Sequence, residues 1–365
     1  MGMLRSFVIW LVLGCSAFTL QAASMALDLM SSQDAYQSIP RLRALAEQFT
    51  TIVNSPPNPL RVAQKKPVRI ALLLFGDAQS IDNKALLVSF KRRMRELGID
   101  YRLDTYLDQR ADEQDYEPYF KIEAAQPDYL VVTTFGSMQR RFLERFLRTG
   151  KTKVILYDFA SPLTHWVNHP PLMYIGFDQQ KATRMLASYL DRQLPPASRI
   201  SALVLPDGYL GHVRCDVFLD EMVRYKRHVS RVLVVPDDKQ QAYEAAQLLL
   251  ADQPADFIFS CAQGISDGVI AALNERGESA IQTNAWGGAV KWVAGLQVKT
   301  VKVNMLFRKD DLSIAVAESI KLDLEGRNMP TLFMAHSALI PAELDAESLR
   351  LMMQQAHHYS VELWQ

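Results

Sequence analysis

The strongest constraint on this chain is a regular exchange between two hydrophobic periods. Short, nearly continuous apolar runs alternate with stretches whose apolar residues recur every three or four positions, the signatures of buried strands and amphipathic helices. The pattern opens at Val68–Phe75, a strand-like run ended by Gly76, and continues with a helix over Asn83–Leu97 that Gly98 stops. Tyr101–Leu107, Asp128–Phe135 and Lys153–Phe159 read as further strands, with helices over Gln114–Ala125 and Met138–Thr149 between them. A strand–helix series of this kind can close its core only as a parallel sheet with helices on both faces.

Ser161–Pro171 interrupts the series with Pro162, Pro170, Pro171, His165, His169 and Trp166, and reads as a linker between lobes. The alternation then restarts. Strands are expected at Leu172–Phe177, Ile200–Leu205, Val229–Val235, Phe257–Ser260 and Ile281–Ala285, with helices at Gln179–Leu194, Arg214–Arg227, Lys239–Ala251 and Ile265–Arg276. Val298–Met305 and Leu312–Leu324 add one more strand and helix, and 330–365 adds an extended piece and a short helix. The expected fold is therefore α/β, with two doubly wound parallel-sheet lobes and a ligand cleft between them. Its expected boundaries are 1–23 as a signal peptide, 24–66 as an N-terminal extension, 67–162 plus 292–326 as the N-terminal lobe, and 163–291 plus 327–365 as the C-terminal lobe.

The first 23 residues carry Arg5, the apolar run Phe7–Leu20, and small residues at Ala22-Ala23-Ser24, the pattern of a cleaved secretory signal that directs the chain to an extracytoplasmic compartment. Val12-Leu13-Gly14-Cys15 offers a rival lipoprotein-type cleavage site. In the extension, Leu27–Met30 and Ile39–Ile52 have helical spacing before Ser55-Pro56-Pro57-Asn58-Pro59 breaks it, which suits a helix packed on the outside of the fold. With 40 basic and 40 acidic residues, the chain lacks the surplus of positive charge expected of a nucleic-acid binder. Cleavage at Ala23 would leave Cys215 and Cys261, both at the carboxyl ends of expected strands. They could pair, but two free, partly buried thiols is the expected state.

The sequence carries no Gly-x-Ser-x-Gly elbow, no phosphate-binding Gly-x-x-x-x-Gly-Lys-Ser/Thr loop and no Gly-x-Gly-x-x-Gly after the first strand. The seven histidines lack Cys or carboxylate partners at metal-ligand spacing, so neither a metal nor a cofactor is expected, and an enzyme is disfavoured. Polar and aromatic residues instead collect just beyond strand ends, where open α/β sheets bind ligands. These are Gln79, Ser80, Asp82 and Asn83 after the first strand, Asp158 after the fourth, and Arg214, Gln263 and Trp286-Gly287-Gly288 in the second unit. Ser80, Asp82 and Asn83 also suit helix caps, and Asp178 reads as a cap. Arg214 offers a fork of donors to oxygen ligands, and Trp286 a flat wall for a ring.

Two such lobes behind an export signal resemble the periplasmic solute-binding proteins. Tyr174–Asp178 (YIGFD), Asp207–Phe218 (DGYLGHVRCDVF), Asp256–Cys261 (DFIFSC), Trp286-Gly287-Gly288 and Ser313–Glu325 (SIAVAESIKLDLE) are similar to blocks of the LuxP-like autoinducer-2-binding proteins, within the ribose-type sugar-binding family. That resemblance implies a type I periplasmic-binding-protein fold that closes on autoinducer-2 or a related sugar-like ligand and reports to a LuxQ-like membrane sensor histidine kinase. The alternative is the sugar-binding component of an ABC-type uptake system. Ser80, Arg214 and Trp286 match ligand contacts of that family. Ala78, Asn83, Asp158 and Gln263-Gly264 replace others, with Gln79 beside the first; the family's second arginine falls on Phe307, with Arg308 next to it. The resulting expectation is a cleft whose only cation is Arg214, paired with Asp158, that prefers a neutral polyol to an anionic borate ester.

Overall fold

The computed structural model describes residues 28–108, 116–252, 255–277, 280–287 and 299–364. The expected signal segment, Cys15 and Gly288 lie outside these residues.

The N-terminal extension forms two helices, α1 (Ser32–Ser38) and α2 (Leu42–Val53), so the helical spacing read from Ile39 begins three residues later. The strand–helix series follows: β1 (Val68–Phe75), α3 (Ile81–Glu96), β2 (Tyr101–Asp108), α4 (Glu117–Ala125), β3 (Tyr129–Val132), α5 (Ser137–Thr149), β4 (Lys153–Tyr157) and β5 (Met173–Phe177). Next come α6 (Gln179–Gln193), β6 (Ile200–Val204), a π-helical turn (Gly211–Asp216) that runs into α7 (Val217–Arg224), β7 (Val229–Val234), α8 (Lys239–Asp252), β8 (Phe257–Ser260), α9 (Gln263–Arg276) and β9 (Gln282–Trp286). The chain finishes with β10 (Val301–Phe307), α10 (Lys309–Leu324), β11 (Leu332–Ala335), β12 (Ser337–Pro341) and α11 (Ala346–Ala356).

Two six-stranded sheets result, ordered β11-β5-β4-β3-β1-β2 and β12-β10-β9-β8-β6-β7. Every pairing is parallel except β10–β12. Alternation along β1 shows why both faces must be covered. Ile70, Leu72 and Leu74 pack with Leu86 and Phe90 of α3, while Ala71 and Leu73 face the opposite layer with Ile122 and Leu143. In each sheet the chain winds first one way and then the other, so each has a switch point: β1 against β3 in the N-lobe, and β6 against β8 in the C-lobe.

The lobe boundaries differ from those expected. Met173–Phe177, assigned to the C-lobe from sequence, pairs with β4 and β11 in the N-lobe sheet. The proline-rich 161–171 segment is thus a loop within the N-lobe. Conversely, β10 belongs to the C-lobe sheet although 292–326 had been assigned to the N-lobe. The chain crosses between lobes at three points: Asp178 between β5 and α6, Arg308 between β10 and α10, and His336 between β11 and β12. Two of these are tied together, because the Arg308 N–H donates to the His336 carbonyl at 3.2 Å. Phe177 and Phe307, in contact with ring centroids 4.7 Å apart and planes tilted by 45°, end the first two crossing strands. Three adjacent single-residue crossings make a hinge, since few dihedrals separate two rigid bodies.

The C-terminal tail adds a further link. Leu349 and Ala356 of α11 pack in a C-lobe cluster with Ile270, Val301 and Ile340. Beyond it, the Tyr359 and Ser360 N–H groups donate to Asp310 Oδ2 at 2.6 and 2.9 Å, at the start of the N-lobe helix α10.

Candidate functional site

The cleft between the lobes encloses a cavity of about 310 Å³. Its residues come from the carboxyl ends of strands in both sheets, as the two switch points require. From the N-lobe come Phe75, Asp82, Asn83, Tyr157 and Asp158; from the C-lobe come Arg214, Asp237, Gln263 and Trp286. The hinge contributes Phe177, Gln179, Phe307 and Lys309.

Arg214 is the centre of the C-lobe wall. It sits in the π-helical turn, which widens the helix entry and is a common feature of functional sites. The side chain is 8% exposed, and its Nε donates to Gln179 Oε1 at 2.9 Å. Its guanidinium carbon lies 4.4 Å from the centre of the Trp286 ring and 5.5 Å from that of Phe307. The Trp286 and Phe307 rings lie within 8° of parallel, with centroids 6.1 Å apart. Trp286 is locked by its Nε1–H, which donates to the Ser260 carbonyl at 2.6 Å. With Nε and one face occupied, Nη1 and Nη2 make no hydrogen bond to the described residues. Arg214 is therefore a pre-oriented fork with two free arms. Burial lowers its pKa, opposed by the charges of Asp158, Asp237 and Tyr209.

The Cys215–Cys261 disulfide sits directly behind this wall. Free thiols were expected; the fold instead places the two Cα atoms 5.6 Å apart, within bridging range, because β6 and β8 are neighbours. The bridge joins the residue after Arg214 to the residue two before Gln263. Gln263 in turn packs against Gly287, where a Cβ would meet Gln263 Oε1 at 2.7 Å. The glycine thus permits the close approach its position suggested, and its φ of 93° also favours glycine.

On the opposite wall, Asp158 holds a left-handed backbone (φ 58°), a conformation Asp tolerates better than most residues and one concentrated at functional sites. Asp158 is exposed to the open cleft, whose crowded walls thin the water around it. Burial pushes its pKa up, against the pull of Lys309 and then Arg214. Asp158 and Arg214 sense each other through that field but form no direct ion pair, so the expected cross-cleft pair is absent in this conformation. Asn83 uses its side-chain amide to hold the turn after β1, donating to the Phe75 and Asp77 carbonyls at 3.1 and 2.8 Å.

Ser80 and Gln79 do not line the cavity. Ser80 Oγ caps α3 by accepting the Asn83 N–H at 3.3 Å, and Gln79 is exposed, its N–H donating to Asp77 Oδ1 at 2.8 Å. Asp178 is the α6 cap that the sequence suggested, accepting the Lys181 N–H at 2.9 Å. Asp82, also read as a cap candidate, turns into the cleft and pairs with Lys309 Nζ at 2.7 Å. Burial pushes the Asp82 carboxyl up, but the charge and hydrogen bond of Lys309 outweigh it and hold it below the usual range. Burial likewise lowers Lys309, and the charges of Asp82 and Asp158 more than restore it.

Sequence reasoning missed Gln179, Asp237, Tyr157, Phe177 and Lys309. Gln179 and Lys309 each follow a hinge crossing, and no local pattern marks a crossing. Lys309 corrects the expectation that Arg214 is the only cation in the cleft. The second-arginine position is occupied as anticipated: Phe307 faces the cavity, and Arg308 turns away to Asp311, Nε to Oδ2 at 3.0 Å.

Two α/β lobes joined by a three-segment hinge, with a polar and aromatic cavity between them, define a type I periplasmic-binding-protein fold. A family model described as the periplasmic binding protein domain matches residues 85–321, and the chain belongs to that family. Among solved structures, it is similar to an ABC transporter solute-binding protein from Agrobacterium vitis bound with alpha-D-tagatopyranose. That match has a TM-score of 0.68 at 18% identity and covers 78% of this chain and 98% of that one. A periplasmic ribose ABC transporter protein from Conexibacter woesei matches with a TM-score of 0.67 at 16% identity, over 81% and 97% of the two chains. The Caulobacter myo-inositol binding protein bound to myo-inositol gives 0.65 at 13% identity, over 80% and 100%. At these identities the likeness is one of fold.

Proposed function

We propose that this protein is an exported receptor for a small, neutral, polyhydroxylated molecule of the sugar or cyclitol class, delivered to an ABC-type membrane permease. The observation that carries the reading is the Arg214 fork, stacked on Trp286 and held by Gln179, with both terminal nitrogens free to bind vicinal oxygens. Across the cavity, Asp158 supplies an acceptor and the aromatic faces take the apolar side of a ring. Charge argues for a neutral ligand. The cavity is lined by Arg214 and Lys309 against Asp82, Asp158 and Asp237, one formal negative charge in excess. Lys309 is already committed to Asp82. Ligand that bridges Arg214 and Asp158 gains contacts only when the lobes close, so its differential affinity drives closure about the hinge. The tagatose-, ribose- and myo-inositol-type neighbours support this class, and residues 1–23 would serve as the export signal.

A second reading is a LuxP-like autoinducer-2 receptor that reports to a LuxQ-like sensor kinase. It is favoured by one observation: Arg214 and Trp286, two matched contacts of that family, meet on one wall of the cavity. The same assay separates the two. The chain from Ser24 onward is heated with D-ribose, D-tagatose, D-allose, myo-inositol, or autoinducer-2 with and without borate. A ligand at a hundred times its dissociation constant adds about 2.7 kcal/mol of stability. Stabilisation by a neutral sugar or cyclitol that Arg214→Ala removes, with the apo midpoint unchanged, supports the proposal. Strictly borate-dependent stabilisation by autoinducer-2 would replace it with the second reading. Persistence of the shift in Arg214→Ala would remove Arg214 from the site.

A further inference from the structure

Tyr209 reaches across the lobe boundary. It belongs to the C-lobe, in the helical turn between β6 and Arg214, yet its ring centroid lies 4.3 Å from that of Phe159 in the N-lobe. The Ala160 N–H donates to the Tyr209 hydroxyl oxygen at 3.4 Å, and Ser161 Oγ lies 3.5 Å from the same oxygen. Both polar contacts are long, so the ring contact carries most of the interaction.

The N-lobe side of this contact is a rigid seat. Phe159 is buried and packs on Phe135 and Tyr174, with ring centroids 4.5 and 6.3 Å away, and Phe135 in turn meets Trp166 of the proline-rich loop edge to face. Behind the seat, β5 presents Gly176, where a Cβ would lie 2.9 Å from the Phe159 nitrogen and 3.0 Å from that of Ala160. The missing side chain lets the 159–160 backbone lie against the strand. Tyr209 packs on this N-lobe cluster although its own backbone belongs to the other lobe.

The contact also stands off the hinge. In the C-lobe sheet, β9 and β8 separate β6 from the crossing strand β10, so rotation about the crossings parts the two rings. Each ring neighbours a cleft charge: Phe159 follows Asp158, and Tyr209 precedes Arg214 by about one turn of the same helix opening. Tyr209 itself does not line the cavity.

We propose that Tyr209 is an interlobe latch, a positioning residue that docks on Phe159 and holds the lobes in the conformation that sets Arg214 opposite Asp158. An aromatic pair of this kind multiplies the ratio of docked to open molecules by about two- to tenfold. An occupant that needs the docked conformation binds with an apparent dissociation constant inversely proportional to the docked fraction. The latch therefore raises affinity for every occupant by one common factor and leaves the choice between occupants to the cavity.

Spin labels at Thr105→Cys on β2 and Val232→Cys on β7, both exposed and at the sheet edges farthest from the crossings, report lobe separation by double electron–electron resonance. In the chain from Ser24 onward, the buried Cys215–Cys261 bridge leaves no native thiol to label. Without added ligand, docked and open populations are expected. Tyr209→Ala should lower their ratio about two- to tenfold, and Tyr209→Phe, which keeps the ring, should restore most of it. A merely structural role would lower the melting midpoint and leave the ratio alone. Calorimetric titration with D-ribose and myo-inositol rests on the sugar or cyclitol reading of the cleft. Tyr209→Ala should raise both dissociation constants by the factor by which the docked fraction fell, with their ratio unchanged. Should neither bind the wild type, that reading fails and the spin-label result alone decides the latch. A wild-type distribution with no docked fraction, an unchanged ratio in Tyr209→Ala, or an altered preference between the two ligands overturns the proposal.

Discussion

Replacing both cysteines of the disulfide, as Cys215→Ala/Cys261→Ala, tests whether the C-lobe wall of the cleft depends on a covalent clamp. The bridge closes a loop of sequence separation 46. In the chain-entropy relation, a loop of that length restricts the unfolded state by about 4 kcal/mol. Both sulfurs are buried, Cys215 at 2% and Cys261 at 0% exposure, so the alanines also leave a small void. The expected loss is therefore about 3–5 kcal/mol, read from urea unfolding followed by fluorescence and circular dichroism. The denaturant slope should rise, because an unbridged chain exposes more surface when it unfolds. Binding should weaken as well, since the clamp spans from the neighbour of Arg214 to the segment leading into Gln263. Two observations would refute this reasoning. One is a pair of reactive thiols in the denatured, unreduced chain from Ser24 onward; the other is a variant as stable as the wild type.

Two further perturbations have a definite sign. Alanine is usually the better helix former, so Gly268→Ala in α9 would ordinarily stabilise. Here its Cβ would meet the Lys239 carbonyl oxygen at 2.5 Å and the Tyr243 nitrogen at 2.6 Å, so the α8–α9 crossing must open, at a cost of about 1–3 kcal/mol; an unchanged or raised melting midpoint would contradict this. His357, wholly buried and stacked on Trp364, has no hydrogen-bond partner among the described residues on either ring nitrogen, and burial lowers its pKa from 6.5 to about 4, opposed by Asp310 and Asp82 and reinforced by Lys309 and His358. Between those pH values the unfolded chain binds the proton more readily, so its contribution is complete above pH 6.5 and is lost as pH falls towards 4. The loss amounts to at most about 3 kcal/mol. In His357→Phe, which keeps the stack and removes the titration, the acid limb of the stability curve should be shallower by that amount; an unaltered slope would show that His357 is not responsible.

What the sequence by itself determined was local and periodic. Apolar runs such as Val68–Phe75 and Phe257–Ser260 can only be strands buried on both faces, and their alternation with helices leaves a doubly wound sheet as the way to bury them. Ligand groups in such sheets gather at strand ends, so Arg214, Trp286, Asn83, Asp158 and Gln263 were legible as candidates, and all five line the cavity. Tertiary structure decided everything that depends on which distant segments become neighbours. Met173–Phe177 looks the same in either sheet; only its pairing with β4 and β11 places it in the N-lobe and moves the hinge to Asp178. The adjacency of β6 and β8 brought Cys215 to Cys261, a distance that spacing along a chain does not carry. Ser80 and Gln79 have the right chemistry at a strand end, but the local turn uses Ser80 to cap α3 and leaves Gln79 in solvent. Gln179 and Lys309 reach the cleft because their backbones leave the hinge there. Periodicity reports which face of an element is buried, and it is silent on what that face is buried against.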